Sequence, residues 1–545
     1  MKVLAVIPAR GNSKGIPRKN VRLMCNRPLI SYSITNAKLC EDITDIVVST
    51  DCEEIASISA LYGADVIMRD KSLADDLTTL DPVIFDATEK MEAKNSCRYD
   101  VVITLQPTSP TLKPATLSAA LSYFCSNPGV DTIISAVNRP HLSWSKNENG
   151  FFPLYEKRLN RQMLPPNYLE AGAFVLSARE FVTQNSRLGK HIEVFEISEE
   201  EAVDIDNKND WILAEAILSK KKIIFRADGH KMLGMGHIYH CMTLAYNLTG
   251  HEIMFVSNEN GIEGIEKLKN SFLPLKTIKN DDEFFELLQE YKADIVVNDC
   301  LDTTVEYIKR LKTLTERVVT IEDIGEGARY ADMVINALYE EPETNQGNVF
   351  SGEKYVCLRD EFILASPKEF SKEVRNITVL FGGTDPSNLT KLVYDMAGSI
   401  TAQHKNIRFS FITGIGYDCV EHGIVSSVGK NIEVISDSRF ISQILKESDL
   451  ALTSQGRTVY ELASLGVPSI VLAQNEREQK HTFAQMKNGF LNMGLGSSVE
   501  PEAVKNTVEW LINTPQIRKE MRTNMLSHDL KSSVKREINL ILGYI

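Results

Sequence analysis

Short apolar runs rich in Val and Ile alternate along the chain with longer stretches whose apolar positions recur three or four residues apart. KVLAVIPA, DIVVSTD and YDVVITLQPTSP have the first character and predict strands; PLISYSITNAKLC and EEIASISALYG have the second and predict helices. That order is the rhythm of βαβ units around a parallel sheet. Near residue 220, AILSKKK closes a helix and KIIFRAD opens a new strand, so the alternation restarts. Beyond it, HEIMFVSNENG, ADIVVNDC and RVVTIEDIGEG predict one lobe, and NITVLFGGTDPSN, RFSFITGIG, NIEVIS, LALTS and SIVLAQ predict another. Polar SPKEFSKEVRN would be the hinge between them. The expected architecture is α/β throughout, with one domain over 1–220 and a two-lobed domain over 221–545, its lobes about 221–370 and 371–545. No repeat of roughly 20 to 50 residues marks a solenoid.

Composition narrows the class. A chain of 545 residues is too long for a single core. The nine cysteines include no C-x-x-C pair, which points away from a disulfide framework or a zinc site and toward a reduced cytoplasm. A net charge of -13 argues against non-specific nucleic-acid binding. MKVLAVIPAR is a strand-length run without the hydrophobic region of a signal peptide, and no run of about 18 apolar residues predicts a membrane span.

The loop IPARGNSKGIPRKN changes the picture. Gly11 and Gly15 permit tight turns, and Arg10, Lys14, Arg18 and Lys19 offer charge-assisted bonds to an oxyanion, although the loop is neither a Walker loop nor a dinucleotide fingerprint. VDID, read as a strand, would put Asp204 and Asp206 on one face, a pairing that suits Mg²⁺ with phosphate oxygens; in a loop, the same residues would serve as a turn and helix cap.

Together with VVSTD, RDKSLADD and LQPTSP, this loop and VDID resemble the sialic-acid type cytidylyltransferases, which make CMP-nonulosonates, over nearly all of residues 1 to about 220. The resemblance implies a Rossmann-like nucleotidyltransferase fold and attack of a sugar hydroxyl on the α-phosphate of CTP. Arg10, Ser13, Lys14 and Lys19 would surround the triphosphate, Asp204 and Asp206 would hold Mg²⁺, and Asn20, Gln106 and a hydroxyl near Thr79 would read cytosine. Arg161, Gln162 and Glu170 would face the sugar. Ala171-Gly172-Ala173 stands where the family usually has Asn-Gly-Ala, which favours a nonulosonate with other ring substituents. A homodimer through an extension near residues 140–165 is also implied.

KIIFRADGHKMLGMGHIYHCMTLAYNL, FGGTDPSNLT and SQGRTVYELASLGVPSIVLAQNE resemble the hydrolases of pseudaminic-acid biosynthesis, which cleave UDP from a diacetamido-trideoxyhexose and have the two-lobed glycosyltransferase-B architecture. The resemblance implies UDP against Gly382, Gly383 and Ser454, Glu461 on the ribose, and His237 acting on water, with no cofactor. Asp299 and Asn475 are further candidates, and Cys300 falls near the family's tyrosine. A binding-only domain and a glycosyltransferase are the alternatives for this half.

Overall fold

The computed structural model describes residues 1–13, 15–75, 78–230, 233–340, 347–414, 416–425, 431–436, 438 and 440–544. Lys14 lies outside them. The chain divides into two compact units, Met1–Lys220 and Lys221–Ile545.

Across the sheet of the first unit the strands run Ile192–Glu196, Thr132–Asn138, Tyr168–Ala178, Val101–Leu105, Val3–Pro8, Asp45–Thr50 and Asp65–Met68. The expected α/β class is observed, but the sheet is mixed: Tyr168–Ala178 runs antiparallel to both neighbours. The chain reaches that strand through the hairpin Trp144–Asn147/Gly150–Pro153 rather than through a crossover helix, so nothing returns it to parallel. Val3–Pro8 is buried along its length, as befits a central strand covered on both faces. Its C-terminal end, and those of Asp45–Thr50, Asp65–Met68 and Val101–Leu105, open at one edge of the sheet, where ligands bind in such folds.

The second unit has two parallel sheets. One runs Leu275–Ile278, Glu252–Asn258, Lys222–Ala227, Ile295–Asp299, Arg317–Ile321, Met333–Asn336, Val349–Ser351; the other runs Ile432–Ser436, Arg408–Thr413, Asn376–Leu380, Leu450–Thr453, Ser469–Ala473, Phe490–Leu495. The two sheets divide between Ser351 and Asn376, and each lobe borrows from the other across that division. The last helix, Ser533–Leu542, packs Val534, Leu540 and Ile541 into the core of the first sheet. In exchange, Leu338, Tyr339, Leu358 and Phe362 join the core beneath the second. Both transfers follow apolar side chains to the nearest unfilled core.

Candidate active sites

In the first unit, the loop after Val3–Pro8 lies against VDID. A Cβ on Gly15 would stand 2.2 Å from the Asp206 carbonyl oxygen, so only glycine permits that approach. Lys19 donates from Nζ to the Ile205 carbonyl and lies 3.8 Å from Asp206 Oδ1. Burial lowers its pKa, and Arg10 adds to the effect, against the pull of Asp206 and Asp204. VDID itself is not a strand. It leaves the sheet because Asn207 caps the helix Lys208–Leu218, with Asp210 completing the capping box. The alternation survives without sheet pairing: Val203 and Ile205 are buried while Asp206 is exposed. Asp204 is half-buried, and burial, reinforced by the Asp206 charge, raises its pKa. Its Oδ1 is buried without a hydrogen-bond partner, an anionic atom in need of a cation.

A Cβ on Gly172 would meet Asp204 Oδ2 at 2.9 Å and Gln106 Nε2 at 3.1 Å, so the AGA segment, Gln106 and Asp204 converge. The convergence uses a bulge between Glu170 and Val175, which Ser135 fills by donating to the carbonyls of Ala171 (2.7 Å) and Phe174 (2.9 Å). Asn20 is buried and its amide donates to the Arg10 carbonyl at 3.0 Å, so it braces the loop. Ser13 is half-buried in that loop, and Thr79 is exposed at the N-terminus of the helix Leu80–Asn95. Arg161, Gln162 and Glu170 are exposed, with Arg161 paired to Glu199 at 3.3 Å. Sequence reasoning passed over Arg69. It is buried at the same sheet edge, donates to the Ser49 carbonyl, and has its pKa lowered by burial and by Arg10, with Asp51 opposing. Its position at the end of a strand, inside the RDKSLADD motif, was the available signal.

In the second unit, candidate residues emerge from C-terminal strand ends of both sheets. His237, in the first turn of the helix Gly236–Tyr246, bonds Asp299 Oδ1 through Nδ1 at 2.6 Å. Asp299 ends the strand Ile295–Asp299 and is buried. Burial opposes its charge, yet His237 and His240 hold its carboxyl far below the usual range. Gly382 adopts a positive φ of 86°, and a Cβ on Gly383 would touch Met235 at 3.5 Å, so the FGGT loop faces the His237 loop across the lobes. Ser454 is buried beside these loops' sheet, while Asn475 is exposed and caps Glu478 at 3.0 Å.

Glu461, assigned to a ribose, is buried and accepts from Arg359 Nε at 2.8 Å. Cys300 is half-buried, and burial pushes its thiol up to about 12, which leaves it unionised and inert near neutrality. Two ion pairs that sequence reasoning did not assign complete the site. Arg457 lies 3.3 Å from Glu322, and Arg477 lies 2.7 Å from Asp302, each pair joining the lobes. Burial pushes Glu322 up to about 7, against the Arg457 charge.

Residues 4–223 match the Cytidylyltransferase family, and residues 377–537 match the Glycosyltransferase family 28 C-terminal domain. The pseudaminic acid cytidylyltransferase of Campylobacter jejuni is 32% identical over 224 residues, 40% of this chain and 96% of that protein. The chain belongs to the cytidylyltransferase family. An uncharacterized protein of Methanocaldococcus jannaschii is 30% identical over 48% of this chain, which spans 57% of that relative's length. The spore coat polysaccharide biosynthesis protein SpsG of Bacillus subtilis is 28% identical over 51% of this chain and 85% of its own length. That stretch is longer than Met1–Lys220, so at least part of it lies in Lys221–Ile545. MurG of Acinetobacter baumannii overlaps 59% of the chain at 16% identity with a TM-score of 0.44. Among the described residues, no helix is long and apolar enough to cross a membrane.

Proposed function

We propose that the chain is bifunctional, activating a sialic-acid-like nonulosonate with CTP in its first unit and hydrolysing a UDP-diacetamido-trideoxyhexose in its second. For the first reaction the carrying observation is the meeting of Gly15, Lys19, Asp204 and Asp206 at one sheet edge. The partnerless Asp204 oxygen beside exposed Asp206 fits Mg²⁺, which would neutralise charge on the triphosphate. Arg10 and Lys19 would steady the phosphates, Gln106 and Gly172 would set the base and sugar against them, and Arg69 would add a buried cation. Names of relatives that act on pseudaminic acid support the substrate class.

For the second reaction the carrying observation is the His237–Asp299 pair facing the FGGT loop. Asp299 fixes the proton on His237 Nδ1 and leaves Nε2 to take a proton from water. As the water oxygen bonds to the anomeric carbon, the carbon–oxygen bond to the β-phosphate breaks and UDP departs. Similarity to SpsG, a spore coat polysaccharide biosynthesis protein, supports a role in carbohydrate biosynthesis. The match to the glycosyltransferase family 28 C-terminal domain favours a second reading, in which a sugar hydroxyl replaces water.

One experiment tests all three assignments. The chain is incubated with CTP, Mg²⁺ and a panel of nonulosonates, and separately with UDP-diacetamido sugars with and without sugar acceptors. CMP-nonulosonate in the first and acceptor-independent UDP in the second are expected. UDP released only with an acceptor replaces hydrolysis by glycosyl transfer, and UDP bound but never released leaves a binding domain.

A further inference from the structure

Behind the His237–Asp299 pair lies a second buried array. His240 is one helical turn beyond His237 and is buried, as are Asp299 and Glu537. His240 Nδ1 lies 3.4 Å from Asp299 Oδ2, an ion-pair distance, and its Nε2 bonds Glu537 Oε2 at 2.9 Å. Glu537 comes from the last helix, 297 residues away in sequence, the helix that crosses to the first lobe. The His240 nitrogen, Cys357 sulfur and Glu537 oxygen fall within 4.8 Å of one another. The His240–Glu537 bond occupies His240 Nε2 and Glu537 Oε2, while His240 Nδ1 and Glu537 Oε1 are buried and make no hydrogen bond. Among the described residues, the other charged and titratable groups facing the array include Arg457, Glu322, Cys241, Cys300 and Cys357.

We propose that His240 and Glu537 are positioning residues for the second unit: as an imidazolium between two buried carboxylates, His240 keeps Asp299 charged and anchored, so that His237 offers an unprotonated Nε2. This inference rests on the hydrolase reading only for its consequence, since the charge arrangement exists without substrate. Two buried carboxylates at opposite ring nitrogens need an intervening cation. Burial and Arg457 oppose protonation of His240, but Glu537 and Asp299 outweigh them and raise its pKa well above the ordinary value. Without Glu537, His240 loses its proton, Asp299 loses that cation, and the carboxylate draws a proton onto His237. A general base protonated at neutral pH cannot act.

The test is an NMR titration of the full chain labelled with ¹³C at histidine Cε1, with His237 and His240 assigned by their glutamine variants. In the unmodified protein His240 is expected to be protonated at pH 7; a neutral His240 there overturns the proposal without any variant. In Glu537→Gln, the His237 midpoint is expected to rise by about one unit, a roughly tenfold gain in proton affinity. His240→Gln is expected to move it the same way and serves if Glu537→Gln does not fold. An unmoved His237 midpoint in a folded variant overturns the proposal. UDP release is read separately: its acid limb should shift up with the midpoint in Glu537→Gln. If no UDP-sugar is cleaved while the titrations behave as described, the hydrolase reading fails and the charge relay stands.

Discussion

At the scale of single residues, two neighbours at the end of one strand have opposite characters. Asp299 is ionised because two histidines face it, and Cys300 is silenced because burial holds its thiol up to about 12. His237→Ala is therefore expected to lower UDP release by about 10²- to 10⁴-fold, the usual size of a general-base contribution. Cys300→Ser should leave it within about twofold, since a thiol that does not ionise is no nucleophile. Steady-state rates on the cleaved UDP-sugar check both, and equal losses would make Cys300 part of the chemistry. His237 was legible because a strand, a glycine-bearing loop and a helix start follow one another there, and Asp299 because it closes an apolar strand run. Arg457 and Glu322 were not, since a buried ion pair between lobes leaves no local pattern.

At the scale of elements, contacts between loops govern the first unit. Gly15→Ala puts a methyl group where the Asp206 carbonyl stands, so one of the two segments must retreat. Its kcat/KM for CTP should fall by about 10²-fold, the cost of a misplacement near 1 Å, while circular dichroism stays unchanged. A variant with normal kcat/KM would show that the loop and VDID move apart during turnover. In the second unit, His481 donates from Nδ1 toward the Gln455 carbonyl at 2.6 Å and meets Tyr339 edge-on. Burial lowers its pKa to about 4, and Arg457 and Arg477 contribute. The folded form thus binds this proton less readily than the unfolded chain. Its stabilising contribution is complete above about pH 6.5 and is lost as pH falls toward 4, by at most about 3 kcal/mol. Urea midpoints at pH 7.5 and 5 should diverge less in His481→Gln than in the unmodified protein; equal divergence would assign the acid sensitivity to other groups.

At the scale of the molecule, the hairpin Trp144–Asn147/Gly150–Pro153 and the segment C-terminal to it form an apolar arm, because Trp144, Phe151, Leu154 and Met163 are each more than half exposed. We propose that this arm is an association surface. Sedimentation is expected to give a dimer of the 61.1 kDa chain, and Trp144→Glu with Phe151→Glu a monomer. A monomeric unmodified protein would rule out the arm as an interface.

The sequence determined the α/β class and the strands that end at both candidate sites, since apolar periodicity and glycine spacing are local properties that the chain carries into any fold. The motifs that carry His237, Asp204, Asp206 and Lys19 belong to this legible set, because each is a short local pattern beside a strand or at a helix start. Tertiary structure alone decided the reversed strand Tyr168–Ala178 and the exchange of elements between lobes. Each depends on which partner surface is free once the sheets have formed. Glu537 shows the reason most directly: in sequence it is an ordinary glutamate on an amphipathic helix, and only the crossing of that helix to the first lobe brings it to His240.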